Sequence, residues 1–198
     1  MPRNQRETAA HRSEAVAETV ERIQGIEQAD GVDYPSLEKI GGALFDLAAR
    51  KDLFPADDFP LGPNKASKIY LLQEDPDGRF ALYMSVGTGG KLTPPHDHTT
   101  WAVIVSVQGR ELNLLFDRLD DGSVPGKAEI VESGRKVVEG RTAVCLLPDD
   151  IHAVALEGDE HAMLFHMYGL GLDRLDRRIA FNQAEGTYRK FPAGPIVK

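Results

Sequence analysis

Residues 68–86, KIYLLQEDPDGRFALYMSV, set the fold class. Two runs rich in Ile, Leu, Tyr, Phe and Val flank DPDG (75–78), where proline presets φ and glycine accepts a left-handed turn. Runs this short are strands rather than helices, and together they predict a hairpin. The pattern repeats downstream. After the loop GTGGKLTPP come WAVIVSV, a Gln108–Gly109 turn and RELNLLFD, then AEIVESGRKVVE, TAVCLLP, IHAVALEGD and HAMLFHMYG. Roughly eight short strands with turn residues between them predict an antiparallel sandwich or jelly-roll barrel.

Upstream the period changes. Val16, Val20, Ile23 and Ile26 recur at helical spacing over residues 13–28. A second helix is expected from Pro35–Ser36 to about Arg50, with the stripe Leu37, Ile40, Leu44 and Leu47. Residues 55–65, rich in Pro, Asp and Gly, read as a connector. The expected organisation is one domain over 1–198: a helical segment (1–52), a β core (66–170) and a tail (171–198) packed on it.

Composition narrows the function. A net charge of −8 disfavours nucleic-acid and anionic-membrane partners. The lone Cys145 rules out an internal disulfide and fits a reducing compartment. The amino terminus MPRNQRETAAHRSE has no apolar signal core and no run reaches membrane-spanning length, so a cytoplasmic location is expected. Monomer and homodimer both remain open.

Two of the six histidines stand one residue apart in PPHDHTTW (94–101). On an extended chain, residues two apart share a face, so His96 and His98 can reach one point. His152, in PDDIHAVAL, is the candidate third ligand. Taken alone, a His-x-His pair reads equally as a hydrogen-bonded structural pair. Asp97 between them points the other way.

Gly90, five residues, His96-x-His98 and, ten residues on, Gly109 resemble the first motif of the cupin superfamily; Gly140, Pro148 and His152 resemble a degenerate second motif. Many cupins carry a glutamate ligand four residues after the second histidine, where this chain has Ala102. Three neutral imidazoles leave a divalent charge uncompensated and coordination positions open, which favours an anionic ligand such as a thiolate.

HDHTTWAVI with its QG turn, PDDIHAV, and FHMYG followed by an Arg-Arg pair resemble the thiol dioxygenases, most closely the bacterial 3-mercaptopropionate dioxygenases. The resemblance implies a cupin jelly-roll barrel and a three-histidine Fe(II) centre that converts a thiol and O₂ into a sulfinic acid. It implies His96, His98 and His152 as iron ligands and His166 with Tyr168 as the outer pair around the reacting atoms. It further implies Arg177, with Tyr168, as the carboxylate clamp, with Arg174 and Arg178 competing in the same charged string. Gln73 matches a glutamine found where cysteine-specific members carry an arginine. The expected substrate is 3-mercaptopropionate, with cysteine or mercaptosuccinate as alternatives. The competing readings are a cupin dioxygenase that cleaves a carbon–carbon bond, an isomerase, and a non-catalytic metal- or ligand-binding cupin.

Two positions depart from the family. A serine usually stands two residues before the outer histidine; here it is Leu164, so His166 needs another partner. Val103 occupies the position that supplies a cysteine for a Cys–Tyr crosslink in the mammalian enzymes, so none is expected.

Overall fold

A computed structural model describes residues 3–62, 67–90, 92–158 and 161–198. Parts of the expected connector, Lys91 in the glycine-rich loop and the Asp159–Glu160 turn lie outside the described residues.

Helix α1 spans Arg3–Asp30 and α2 spans Tyr34–Ala48. The first begins some ten residues before the apolar stripe, because Arg, Gln, Glu and Ala are good helix formers that need no buried partner. Asp33 caps α2: its side chain accepts from the Ser36 backbone while Ser36 returns the bond, and proline occupies the first turn. Val16, Val20, Ile23, Leu37, Ile40, Leu44 and Leu47 are all buried, as their spacing requires.

Among the described residues eleven strands follow: β1 Ser67–Gln73, β2 Arg79–Gly87, β3 Ala102–Gln108, β4 Arg110–Arg118, β5 Ile130–Val138, β6 Val144–Leu146, β7 Ile151–Glu157, β8 Ala162–Leu170, β9 Ile179–Asn182, β10 Thr187–Lys190 and β11 Ile196–Val197. One sheet has the order β11-β1-β2-β8-β3-β6, a second has β5-β4-β7, and β9 pairs with β10. Neighbours are antiparallel except β1 and β11. The molecule is therefore mainly β and jelly-roll-like with N-terminal helices, but its sheets do not close into a barrel. The tail from Leu172 holds a 3₁₀ turn and three short strands.

Both helices cover the outer face of the large sheet, where Met84, Val103, Phe165 and Met167 meet them in one apolar core. The inner face turns Tyr83, Ile104, Leu164 and Tyr168 toward the second sheet. The expected Gln108–Gly109 turn joins β3 to β4: Gly109 has φ +80°, and a Cβ there would come within 2.8 Å of Ala162.

The segment carrying His96 and His98 is extended but makes only isolated bridges. Thr93 N donates to Val154 O, and His96 exchanges both backbone bonds with His152 at 2.8 and 3.0 Å. On its other side Phe181 N donates to Pro95 O. Pro94 and Pro95 offer no N–H, so the segment seams β7 to β9 without becoming a regular strand. Thr99, at φ +56°, then turns the chain into β3.

Candidate metal centre

The backbone exchange between His96 and His152 sets both residues side by side, and His98 joins them two residues along. The three rings offer nitrogens that all lie within 4.8 Å of one another. His98 Nε2 and His152 Nε2 are 3.4 Å apart. Metal–nitrogen bonds of about 2.0–2.1 Å place neighbouring ligand nitrogens at about that spacing.

The tautomers of two of the three rings fit as well. Nδ1 of His96 donates to Pro94 O at 2.9 Å, and Nδ1 of His152 donates to Asn113 Oδ1 at 2.8 Å. Each bond leaves Nε2 bare and aimed inward, as outer partners of metal-binding histidines do. All three rings are buried. Burial, with the Arg178 charge, lowers the His96 pKa to about 3; burial and the neighbouring rings hold His98 and His152 well below the usual range. Neutral imidazoles are the ligating form. Imidazole nitrogens converging in a buried site are best satisfied by a cation, so the group could bind a metal ion. Among the described residues this group contains no carboxylate. Asp97 is turned away, its side chain accepting from Ile179 N at 2.9 Å.

The histidines form one wall of a cavity of about 420 Å³, whose other walls include Ile69, Glu111, His166, Tyr168, Arg178 and Phe191. A larger hollow of about 740 Å³ lies on the other side of the Leu92–Pro95 segment, against Phe116, Phe181 and Tyr188. It gathers no set of imidazoles, so volume and chemistry point to different places and the chemistry decides.

His166 and Tyr168 lie where the alternation of β8 puts them, on the inner face. Their side chains meet at 3.2 Å from Nδ1 to the hydroxyl, and the Tyr168 ring packs edge-on against His98 with centroids 5.2 Å apart. Burial lowers the His166 pKa to about 4 and raises that of Tyr168.

The expected substrate-binding residues need correction. Arg177 is exposed, and the cavity guanidinium is that of its neighbour Arg178, which is 8% exposed. Arg178 Nε donates to Asp97 O at 3.0 Å, and its guanidinium lies 4.7 Å from the centre of the Phe191 ring. The 3₁₀ turn Leu172–Arg174 lies between Tyr168 and this pair of arginines, and beyond it Arg178 is the one that turns inward. Gln73 is displaced by a β-bulge. The register shifts between Leu71 and Gln73, which places Gln73 opposite Leu82, a residue of the helix-side core. Gln73 therefore faces away from the cavity.

Two buried residues of the site, Glu111 and Asn113, escaped the sequence reading. Their signal was present: in RELNL both polar residues fall on the inward phase of a strand. Asn113 Nδ2 donates to Glu111 Oε1 at 3.0 Å, and Glu111 Oε2 stands 3.8 Å from His166 Nε2.

No protein-family model matches the sequence. Solved structures that it resembles include cupin proteins. A cupin superfamily protein of Desulfitobacterium hafniense DCB-2 is 11% identical over 59% of this chain and 87% of that one, at a TM-score of 0.41. An RmlC-like cupin protein of Ralstonia eutropha JMP134 is 12% identical over 66% and 71%, at 0.42. An oxalate oxidase in complex with the substrate analogue glycolate is 16% identical over 55% of this chain, at 0.41; the matched region spans 53% of that chain, about half.

Proposed function

We propose that this protein is an Fe(II)-dependent thiol dioxygenase acting on a small thiol that carries one carboxylate. The observation that carries the reading is a set of three buried neutral imidazoles, with no acidic ligand, facing a cavity that holds one buried guanidinium. Fe(II) held by His96, His98 and His152 supplies the binding of thiolate and oxygen and the redox chemistry.

The chain's own residues do the rest. Arg178, with its guanidinium plane fixed by Phe191 and Asp97, receives the carboxylate and sets the sulfur's distance from the imidazoles. Tyr168 supplies a hydroxyl beside His98, oriented by His166. Ile69, Val154, Leu156 and Leu172 keep that end of the cavity apolar.

Arg178, the single cation among the described residues of the cavity, favours 3-mercaptopropionate, with one carboxylate, over mercaptosuccinate, with two. Cysteine would bring an ammonium group toward Arg178. The test is oxygen uptake by iron-reconstituted protein with each thiol acid, with mass analysis of the product. Uptake that requires both thiol and iron, with a product heavier by two oxygen atoms, is the expected result. Turnover without O₂, or none with any thiol acid, would overturn it. Arg178→Ala should raise KM by about 10–100-fold, the loss of one charge-assisted pair, while Arg177→Ala leaves it unchanged. Equal effects in the two variants would remove the clamp assignment.

A further inference from the structure

Leu164 deprives His166 of the hydroxyl partner expected on its own strand, and the fold supplies a carboxylate from the facing sheet instead. Glu111 is 2% exposed, and among the described residues its carboxylate accepts a hydrogen bond from Asn113 alone. His166 Nε2 is buried without a hydrogen-bond partner, 3.8 Å from the other Glu111 oxygen. A small rotation of the Glu111 side chain closes that gap. On the far side of the ring, Nδ1 already meets the Tyr168 hydroxyl, which faces the cavity.

We propose that Glu111, His166 and Tyr168 form a proton relay that ends on Glu111 and takes up the proton a substrate loses on binding. With Glu111 ionised, His166 Nε2–H points at the carboxylate and Nδ1 accepts the Tyr168 proton. The hydroxyl oxygen then offers a lone pair to the cavity. A proton arriving at that oxygen sends the Tyr168 proton to His166 Nδ1, and the His166 Nε2 proton passes to Glu111. Tyr168 and His166 end neutral, the imidazole ends in its other tautomer, and Glu111 ends as a carboxylic acid. On the proposed function, on which this assignment of the proton rests, the donor is the thiol, whose sulfur keeps the electron pair.

The surroundings suit the role. Burial raises the Glu111 pKa to about 7, so the group can exchange a proton near neutrality, where a carboxylate in water would not. It faces Asn113 on its own strand, His166 and Tyr168 on β8, and, behind Asn113, His152 on β7. Its β5 and β7 cross-strand neighbours, Val138 and Leu156, are apolar. Arg178 is the cavity's cation, and its charge acts on His166 and Tyr168.

The test is long-range ¹H–¹⁵N NMR of the His166 ring in the metal-free full chain, followed from pH 5.5 to 8.5. The expected result is an exchange of tautomer, Nδ1–H at low pH and Nε2–H at high pH, that is absent in Glu111→Gln. One tautomer throughout in the wild-type chain, or the same exchange in Glu111→Gln, overturns the relay. Infrared spectra of the wild-type chain provide a readout that needs no variant: a buried carboxylic-acid band must titrate in step with the tautomer, and its absence overturns the relay equally. Neither readout uses metal, thiol or turnover. A lack of thiol-dependent oxygen uptake would remove the proposed function alone, and a fixed tautomer would remove the relay alone.

Discussion

Strand β8 has two faces that do opposite things. Met163, Phe165 and Met167 turn outward into the core beneath the helices, where Phe165 packs edge-on against Phe54 at 4.9 Å between centroids. Leu164, His166 and Tyr168 turn inward, and only Leu164 is apolar throughout. Neutral imidazoles and a buried acid on the inner side are costly to desolvate, and apolar burial on the outer side offsets that cost. The candidate site is thus held on one side of a strand by stability generated on the other, one residue apart.

The largest expected effect breaks the inner side. His152→Ala removes one of the three candidate ligands and should lower affinity for divalent metal by more than about 100-fold, beyond what losing a ligand's supporting partner usually costs. Chelator competition measures it, and the far-ultraviolet circular dichroism should stay unchanged. Retained tight binding would mean that the three rings are not the site. Phe165→Ala breaks the outer side. It should cost about 3–5 kcal/mol of folding stability in a denaturant titration, as aromatic truncations in a packed core do, while protein that remains folded still binds metal.

A subtler effect sharpens the contrast, because Glu111 costs stability at the pH where it is proposed to act. Its folded pKa is raised from 4.5 to about 7, so between those values the folded chain binds more protons than the unfolded one. Stability from this group therefore falls as pH rises across that window and levels off above it. His166, lowered to about 4, has the opposite sign: its contribution rises with pH up to its ordinary value of 6.5. Glu111→Gln isolates the first term. The metal-free variant should match the wild-type chain near pH 4.5 and exceed it by on the order of 3 kcal/mol at pH 8. A difference independent of pH would mean that Glu111 is ionised throughout.

What the sequence disclosed follows the same division. The outer side was legible because apolar periodicity is a local signal: both helix stripes and the strands from residue 68 to 170 can be read without tertiary information. The three histidines were legible because their motif spacing survives in the chain. Arg178 was not, since one 3₁₀ turn decides which of two adjacent arginines faces inward. Gln73 was misplaced by a bulge, which alters phase and leaves no mark in composition. Glu111 and Asn113 were visible as polar residues on an inward phase, but their meaning depends on β8, some fifty residues away, lying across from them.

The smallest effect tests how the strained turn after the ligands contributes. Thr99 is β-branched and sits at φ +56°, a conformation that costs such residues about 1 kcal/mol or more. It is held there by its N–H, which donates to Pro148 O at 3.0 Å, and the turn separates the ligand segment from β3. Thr99→Gly accepts the same angle without strain but frees the unfolded chain. The net gain should be about 1 kcal/mol or less, a rise in Tm of about 2–4 °C at most for a chain of this length. Metal affinity should move the other way, by less than about tenfold, because glycine lets His98 wander from the position the strained turn imposes. A gain in both would show that the strain does nothing for the site; a loss in both would show that the threonine side chain itself holds the turn.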